Sequence, residues 1–276
     1  MNKTFGICIP TYNRVNELKK CIESFLEGAK KYGIPIYVSD NNSDDKTEDM
    51  IKELQKEYGY IFYHKHTTNR GIDKNMVSAI EMAETEYALW LGSDDTLTSD
   101  AISKILNKLK EKPDLCILAR ENTVLRLKDS FDNPFDYYSN DGQIGIDGMH
   151  FSTLIVRVDA IKEAIKRDGC RYDGTLHTYA GVILDYIMDI YKSEKKILIT
   201  TIKELLVNIA VKNKSWEDER LRVFYLYILQ WFKLLKKEYK NNSKVISKYK
   251  QYLKSIRVPY WLVRLGNLGG GTPCLA

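Results

Sequence analysis

Three clusters near the start of the chain carry side chains able to do chemistry. Gly92-Ser93-Asp94-Asp95 sets two carboxylates side by side, Ser39-Asp40-Asn41-Asn42-Ser43-Asp44-Asp45 is rich in acids and amides, and Pro10-Thr11-Tyr12-Asn13-Arg14 puts an aromatic ring beside a guanidinium. Adjacent carboxylates on a tight turn repel unless a cation compensates them. A hard divalent ion, Mn2+ or Mg2+, suits such oxygen ligands and keeps substrate phosphate oxygens among its own. Tyr12 offers a face on which a nucleobase stacks, and Asp40 an acceptor for a base N–H or a ribose hydroxyl. Each cluster taken singly has a plainer reading, in which Asp94 or Asp95 caps the helix after Leu97 and Tyr12 packs. Their shared position decides for a nucleotide site: each directly follows a short apolar run, and an open parallel sheet binds ligands at the carboxyl ends of its strands.

Those apolar runs are strands of an alternating α/β pattern. Phe5 to Ile9 reads as a strand broken by Pro10, and Leu18, Cys21, Ile22, Phe25 and Leu26 then fall on one helix face. Strands are expected at Ile36 to Val38, Tyr60 to Tyr63, Tyr87 to Leu91 and Leu115 to Leu118. Helix faces are expected around Met50 to Tyr58, Met76 to Ala83 and Ile102 to Leu109. Five such alternations imply a Rossmann-like, doubly wound, mostly parallel sheet. Residues 119 to 150 lose the rhythm and read as a long binding loop or lid. Leu154 to Val158 and Ile197 to Thr201 are expected strands flanking a helix from about Tyr179 to Tyr191.

A chain of 276 residues, 44% hydrophobic and 29% charged, has the composition of a folded protein with a packed core. Its five cysteines are scattered and form no C-x-x-C pair, which excludes a zinc knuckle and a dithiol redox centre. The opening lacks a signal-peptide pattern, so the reducing cytoplasm is the expected compartment. The net charge of +5 is uneven: from Lys212 onward 14 Lys and Arg face 4 Asp and Glu. No nucleic-acid partner is expected.

The same motifs resemble those of family 2 glycosyltransferases. The opening pattern is Ile9-Pro10-Thr11-Tyr12-Asn13-Arg14, the second Val38-Ser39-Asp40-Asn41-Asn42-Ser43-Asp44-Asp45-Lys46-Thr47, the third Asn69-Arg70-Gly71 and the acidic one Leu91-Gly92-Ser93-Asp94-Asp95, spread over residues 4 to 118. The resemblance implies a GT-A fold, a nucleotide-sugar donor, inverting chemistry and a divalent metal. It also implies that Tyr12 stacks on the base, Asp40 contacts the base, Asp94 lies on the ribose side and Asp95 ligates the metal. Bacterial members of this kind typically build surface glycans on glycan or lipid-linked acceptors. Many members carry a further acid where Gly92 stands, and processive members carry a Gln-x-x-Arg-Trp motif absent here. Transfer of a single sugar is therefore expected.

An inverting transfer needs a carboxylate base opposite the leaving diphosphate. The family's two-acid motif is reduced here to Ala180-Gly181-Val182-Ile183-Leu184-Asp185-Tyr186, so Asp185 is the expected base, with Asp173 and Asp189 behind it; an ion-paired helix residue is the alternative for Asp185. His177 is a candidate third metal ligand, against the commoner structural histidine. Arg14, Arg70 and Lys74 are candidate diphosphate contacts.

Residues 1–118 thus read as the nucleotide-sugar-binding half of one domain, 119–211 as its acceptor-binding half and 212–276 as a basic, aromatic, helical C-terminal extension with a flexible end. The run from Leu221 to Leu235 falls short of a membrane span, whereas the stretch with Lys248, Lys250, Tyr252, Lys254, Arg257, Tyr260 and Trp261 suits either an anionic membrane surface or packing on the catalytic domain. Peripheral attachment to the inner face of the cell membrane is the corresponding expectation. A nucleotidyltransferase or a dinucleotide oxidoreductase would need a glycine-rich loop after the first strand, which Pro10-Thr11-Tyr12-Asn13 is not. A degenerate nucleotide-sugar-binding or membrane-surface assembly module stays open as the non-enzymatic alternative.

Overall fold

The computed structural model describes residues 1–119, 130–131, 150–174, 178–193, 195–210 and 247. The described residues include ten strands: β1 (Phe5–Thr11), β2 (Ile36–Asp40), β3 (Ile61–Lys65), β4 (Tyr87–Trp90), β5 (Thr96–Leu97), β6 (Leu115–Ala119), β7 (Ser130–Phe131), β8 (Leu154–Arg157), β9 (Ile199–Leu205) and β10 (Val207–Asn208). Their α-helices are α1 (Val15–Tyr32), α2 (Thr47–Glu57), α3 (Ile72–Glu81), α4 (Ala101–Leu109), α5 (Val158–Asp168) and α6 (Thr178–Lys192).

Eight strands form one sheet in the order β3-β2-β1-β4-β8-β6-β9-β7, and β10 pairs with β5 beside it. The run β3-β2-β1-β4 is parallel throughout, as the alternating pattern requires. Strand β8 enters between β4 and β6, antiparallel to both, so the two are not neighbours. The sheet is mostly parallel, as expected from the sequence, with its centre completed by a strand from beyond residue 150.

Alternation along each strand sends successive side chains into opposite layers. Ile7, Ile9, Ile36, Val38, Leu89 and Leu91 join the layer that buries Leu18, Ile22 and Phe25 of α1 and Ile102 and Ile105 of α4. Cys8, Tyr37, Ala88 and Trp90 join the layer that buries Met76 and Ile80 of α3, Ile161 and Ala164 of α5 and Val182 and Ile183 of α6. Helix α5 is not among the expected elements, although Ile161, Ala164 and Ile165 have helical spacing; Val158, expected to end a strand, instead starts this helix. Strand β1 also runs on through Pro10 to Thr11, pairing with Ser39 and Asp40 of β2. Its pairing with β4 stops at Cys8, so Pro10 lies where one side of β1 is already an edge and a missing N–H is tolerated.

The expected helical extension at 212–276, apart from residue 247, and most of the expected 119–150 loop lie outside the described residues. Among the described residues no helix is long and apolar enough to cross a membrane.

Candidate functional site

The carboxyl ends of β1, β2 and β4 form one rim, and hydrogen bonds tie their loops together. After β1, Tyr12 is 44% exposed. Asn13 takes the left-handed backbone region at φ 50°. Its N–H donates to Ser43 Oγ at 2.9 Å, while its side-chain oxygen accepts from the Asp44 N–H at 2.9 Å. Asp45 then accepts from the Val15 N–H at 3.0 Å and the Thr47 N–H at 3.0 Å, capping the starts of α1 and α2 with one carboxylate. The acidic second motif therefore fixes the loop that presents Tyr12 and Arg14.

Asp40 is fully buried and its acceptor sites are largely taken from within. Oδ1 accepts from the Ser43 N–H at 2.8 Å and the Ser43 hydroxyl at 2.6 Å, and Oδ2 from the Tyr63 hydroxyl at 2.6 Å. The expected acceptor is thus partly occupied: the Tyr63 hydroxyl leaves one lone pair of Oδ2 for a base. Below the rim lies a second polar network. The Ser39 hydroxyl donates to Asn75 Oδ1 at 2.8 Å, and the Asn75 amide donates to the Thr11 carbonyl at 3.1 Å. His66 Nε2 lies 3.1 Å from Ser39 Oγ, whose proton is committed to Asn75, so Nε2 is the donor there. Burial, with the neighbouring His64 and Arg70 charges, holds His66 below its ordinary value, which keeps the ring neutral.

The Asn69-Arg70-Gly71 motif forms a clasp. Asn69 Oδ1 accepts from the Gly71 N–H at 2.9 Å and the Asn41 amide at 2.7 Å, and Asn41 Oδ1 accepts from the Arg70 N–H at 2.8 Å. Gly71, at φ 81°, leads directly into α3. The Arg70 guanidinium turns to Ser78 Oγ at 3.3 Å, and Lys74 lies 3.7 Å from Asp173. Of the three basic residues expected at a diphosphate, Arg14 is the one placed beside the acid pair, 2.6 Å from Asp94 Oδ2.

Asp94 and Asp95 are unequal. Asp94 keeps 31% of its side-chain surface exposed, whereas Asp95 is 2% exposed. Asp95 Oδ1 accepts from the Ala210 N–H at 2.9 Å and Oδ2 from the Ser152 hydroxyl at 2.5 Å. Ser152 Oγ also accepts from the Gly92 N–H at 2.9 Å. Burial, reinforced by the Asp94 charge and opposed by Ser152, Ala210 and Arg14, pushes the Asp95 carboxyl up to about 6. A Cβ at position 92 would stand 2.7 Å from Asp95 Oδ2 and 3.2 Å from Asp94 Oδ1, so glycine here lets the two carboxylates close over the turn. Where the family often has a third acid, this chain has no room for a side chain without moving the other two.

These residues fit a divalent ion. Two carboxylates share one guanidinium, that of Arg14, so the pair keeps a net negative charge, and two oxygen ligands leave positions for a diphosphate and water. Asp94 is the reachable member, and Asp95 would join it by turning a remaining lone pair outward. His177 lies outside the described residues, and among those described no group of three or more His, Cys, Asp and Glu could hold a metal.

Asp185 requires a correction. It is 5% exposed on α6, paired with the Arg171 guanidinium and accepting from the Tyr172 hydroxyl at 2.8 Å. The ion-paired alternative describes these contacts, since the Arg171 guanidinium and the Tyr172 hydroxyl both hold Oδ1 inside the fold. Asp189 pairs with Arg167 at 2.7 Å. Asp173, 33% exposed on its side chain, lies in the segment that precedes α6 and faces Lys74 of α3, whose N-terminus belongs to the rim.

No motif marks Ser152, Ala210, Tyr63 or Arg171 as parts of this arrangement. Ser152 is 57 residues from Asp95, and Ala210 is 115 away, beyond the reach of any local motif. Stacking of His150 on Phe151, with Phe151 edge-on to Tyr179 at 5.6 Å, carries the contact from the Asp95 turn to the first turn of α6.

The fold and this rim define first a class, the GT-A glycosyltransferase fold. The structure matches S. aureus TarS, residues 1–349, with a TM-score of 0.63 at 18% identity, covering 91% of this chain and 72% of that one. It also matches the mannosyltransferase PcManGT from Pyrobaculum calidifontis, in complex with GDP-Man and Mn2+, with a TM-score of 0.59 at 13% identity over 97% of this chain and 80% of that one. The chain belongs to glycosyl transferase family 2, whose model matches residues 6–155, more than half its length. Among curated relatives it is 33% identical over 121 residues to an abequosyltransferase of Salmonella typhimurium, covering 43% of this chain and 36% of that protein. It is 32% identical over 107 residues to a GalNAc(5)-diNAcBac-PP-undecaprenol beta-1,3-glucosyltransferase of Campylobacter jejuni, covering 38% of this chain and 34% of that protein. The matched stretch spans about a third of these relatives.

Proposed function

We propose that this chain transfers one sugar from a nucleoside-diphosphate sugar to a glycan or lipid-linked acceptor, inverting the anomeric centre and using Mn2+ or Mg2+ at Asp94 and Asp95. The observation that carries the reading is the desolvated acid pair at the end of β4, on the same rim as the exposed ring of Tyr12, in a family 2 chain. The names of the relatives support it: one is an abequosyltransferase, and another a glucosyltransferase named for an undecaprenol-diphosphate glycan.

Tyr12 stacks on the base, and the loop from Pro10 to Arg14 borders the nucleotide. Asp94 and Asp95 would hold the ion, which would supply positive charge for the leaving diphosphate. Arg14, 2.6 Å from Asp94, turns to that diphosphate when it is bound. Asp173 is the base: it takes the proton of the acceptor hydroxyl as that oxygen bonds to the anomeric carbon, and the bond to the diphosphate oxygen breaks on the opposite side. A lipid-linked acceptor would bring the chain to an anionic membrane surface, for which the extension at 212–276, with 14 basic against 4 acidic residues, supplies charge.

One observation favours a second reading. With Asp185 locked in an ion pair, a degenerate module that binds nucleotide-sugar without turnover is the alternative. A panel of UDP-, GDP- and CDP-sugars, assayed for hydrolysis with Mn2+ or Mg2+ and with chelator, separates the two. Turnover of one donor, abolished by chelator and lowered at least ~100-fold in Asp173→Asn at unchanged nucleoside-diphosphate affinity, is expected. Binding without turnover of any donor would leave the module reading standing, and full turnover in Asp173→Asn would remove Asp173 as the base.

A further inference from the structure

Asp73 is a buried acid that the reaction chemistry does not use. It is the second residue of α3, 5% exposed, and its carboxylate faces another part of the chain. Oδ2 accepts from the Gly174 N–H at 2.9 Å, and Oδ1 accepts from the Thr178 N–H at 3.2 Å. Thr178 is the first residue of α6, so one carboxylate occupies the first turn of its own helix and also caps the N-terminus of a helix 105 residues away. Both helix dipoles favour negative charge at that point, which is how a carboxylate tolerates this burial.

The neighbouring Lys74 holds the same segment by its side chain, 3.7 Å from Asp173. The Thr178 hydroxyl donates to the Tyr172 carbonyl at 3.1 Å, tying the start of α6 to the chain before Asp173, and Gly174 takes the left-handed region at φ 77°. Helix α3 is in turn fastened to the rim through Asn75, which holds Ser39 of β2 and the Thr11 carbonyl of β1. The path from the nucleotide loop to the acid at 173 therefore runs through the first turn of α3.

We infer that Asp73 is a positioning residue that sets residues 172–174, and with them Asp173, and the start of α6 against the donor rim. This rests on the function proposed above, because it gives the segment its catalytic acid. Removing the carboxylate leaves two N–H groups of a buried junction without their acceptor, and the segment relaxes toward water. A shift of about 1 Å in a reacting group costs on the order of 100-fold in rate, while the nucleotide loop, held by its own bonds, is untouched.

The test compares Asp73→Ala and Asp73→Asn with the wild-type full chain. Three quantities are read: the affinity for the nucleoside diphosphate, kcat and KM for metal-dependent hydrolysis of the donor the wild type accepts, and amide hydrogen exchange in peptides covering 172–180. Asp73→Ala should lower kcat about 100-fold at unchanged KM and diphosphate affinity, and raise exchange in 172–180 at least 10-fold, with the β1–β4 peptides unchanged. Asp73→Asn keeps one acceptor oxygen and should recover roughly 10-fold of the lost kcat. Unchanged exchange in Asp73→Ala would overturn the latch, and raised exchange with full kcat would overturn its positioning role. Exchange that rises uniformly over the whole chain would show a general stability role and overturn the inference as well. If the wild type turns over no donor, the function reading fails and the positioning role goes with it, while the exchange data still decide whether Asp73 anchors the segment.

Discussion

Asp95→Asn should make the metal-free protein more stable at neutral pH. The carboxyl is 2% exposed and raised from its ordinary 3.8 to about 6, chiefly by burial. Each pH unit of such a displacement is worth about 1.4 kcal/mol, so the ionised side chain costs on the order of 3 kcal/mol above pH 6. The sign follows from proton linkage. The folded state binds this proton more tightly than the unfolded chain, so the protonated carboxyl stabilises fully below 3.8 and that stability is lost as pH rises through about 6. Asparagine is uncharged throughout, keeps an oxygen for the Ala210 N–H and offers an N–H to Ser152 Oγ. At pH 7.5, in chelator, the variant should melt about 3 to 8 °C above the wild type, and the difference should close by pH 4. Added Mn2+ should reverse the order, because an ion at 1,000 times its Kd stabilises only the protein that binds it, by about 4.1 kcal/mol. Differential scanning calorimetry at the two pH values, with and without Mn2+, measures all of this. A variant less stable than the wild type at pH 7.5, by as much as at pH 4, would refute the desolvated-charge account. Equal stabilisation of both proteins by Mn2+ would remove the metal from Asp95.

Asp185→Asn should destabilise the fold by about 3 to 5 kcal/mol, the usual cost of breaking one side of a buried pair, because Arg171 is left without its carboxylate. Its kcat, measured below the melting transition, should stay within a few fold of wild type; a 100-fold loss in a fully folded variant would return Asp185 to the chemistry. Tyr12→Ala should weaken nucleoside-diphosphate binding by about 1 to 2 kcal/mol by calorimetric titration with no loss of melting temperature, since the ring is 44% exposed and contributes little to the core. Unchanged affinity would remove the stacking role.

The sequence by itself determined the parallel β1–β4 framework and the clusters at its rim. Both are local signals: an apolar run of the right length is a strand whatever it packs against, and the residues after it fall at its carboxyl end. Tyr12, Arg14, Asp94 and Asp95 were visible on that ground, as was the family. Tertiary structure alone decided what each acid has around it. Asp40 met the Tyr63 hydroxyl, Asp185 met Arg171, and Asp95 met Ser152 and Ala210, and those partners come from strands and turns up to 115 residues away. The position of β8 between β4 and β6 was equally hidden, because Leu154–Arg157 reads as a strand in either direction and its antiparallel insertion depends on which edges are unpaired when it arrives. Strand β5 is two residues long and gains its identity only by pairing with β10. Residue type and spacing fix which groups stand at the rim; whether a carboxylate there is an open ligand, a buried cap or half of an ion pair depends on desolvation and on donors brought in by the fold, and neither is written in the neighbouring sequence.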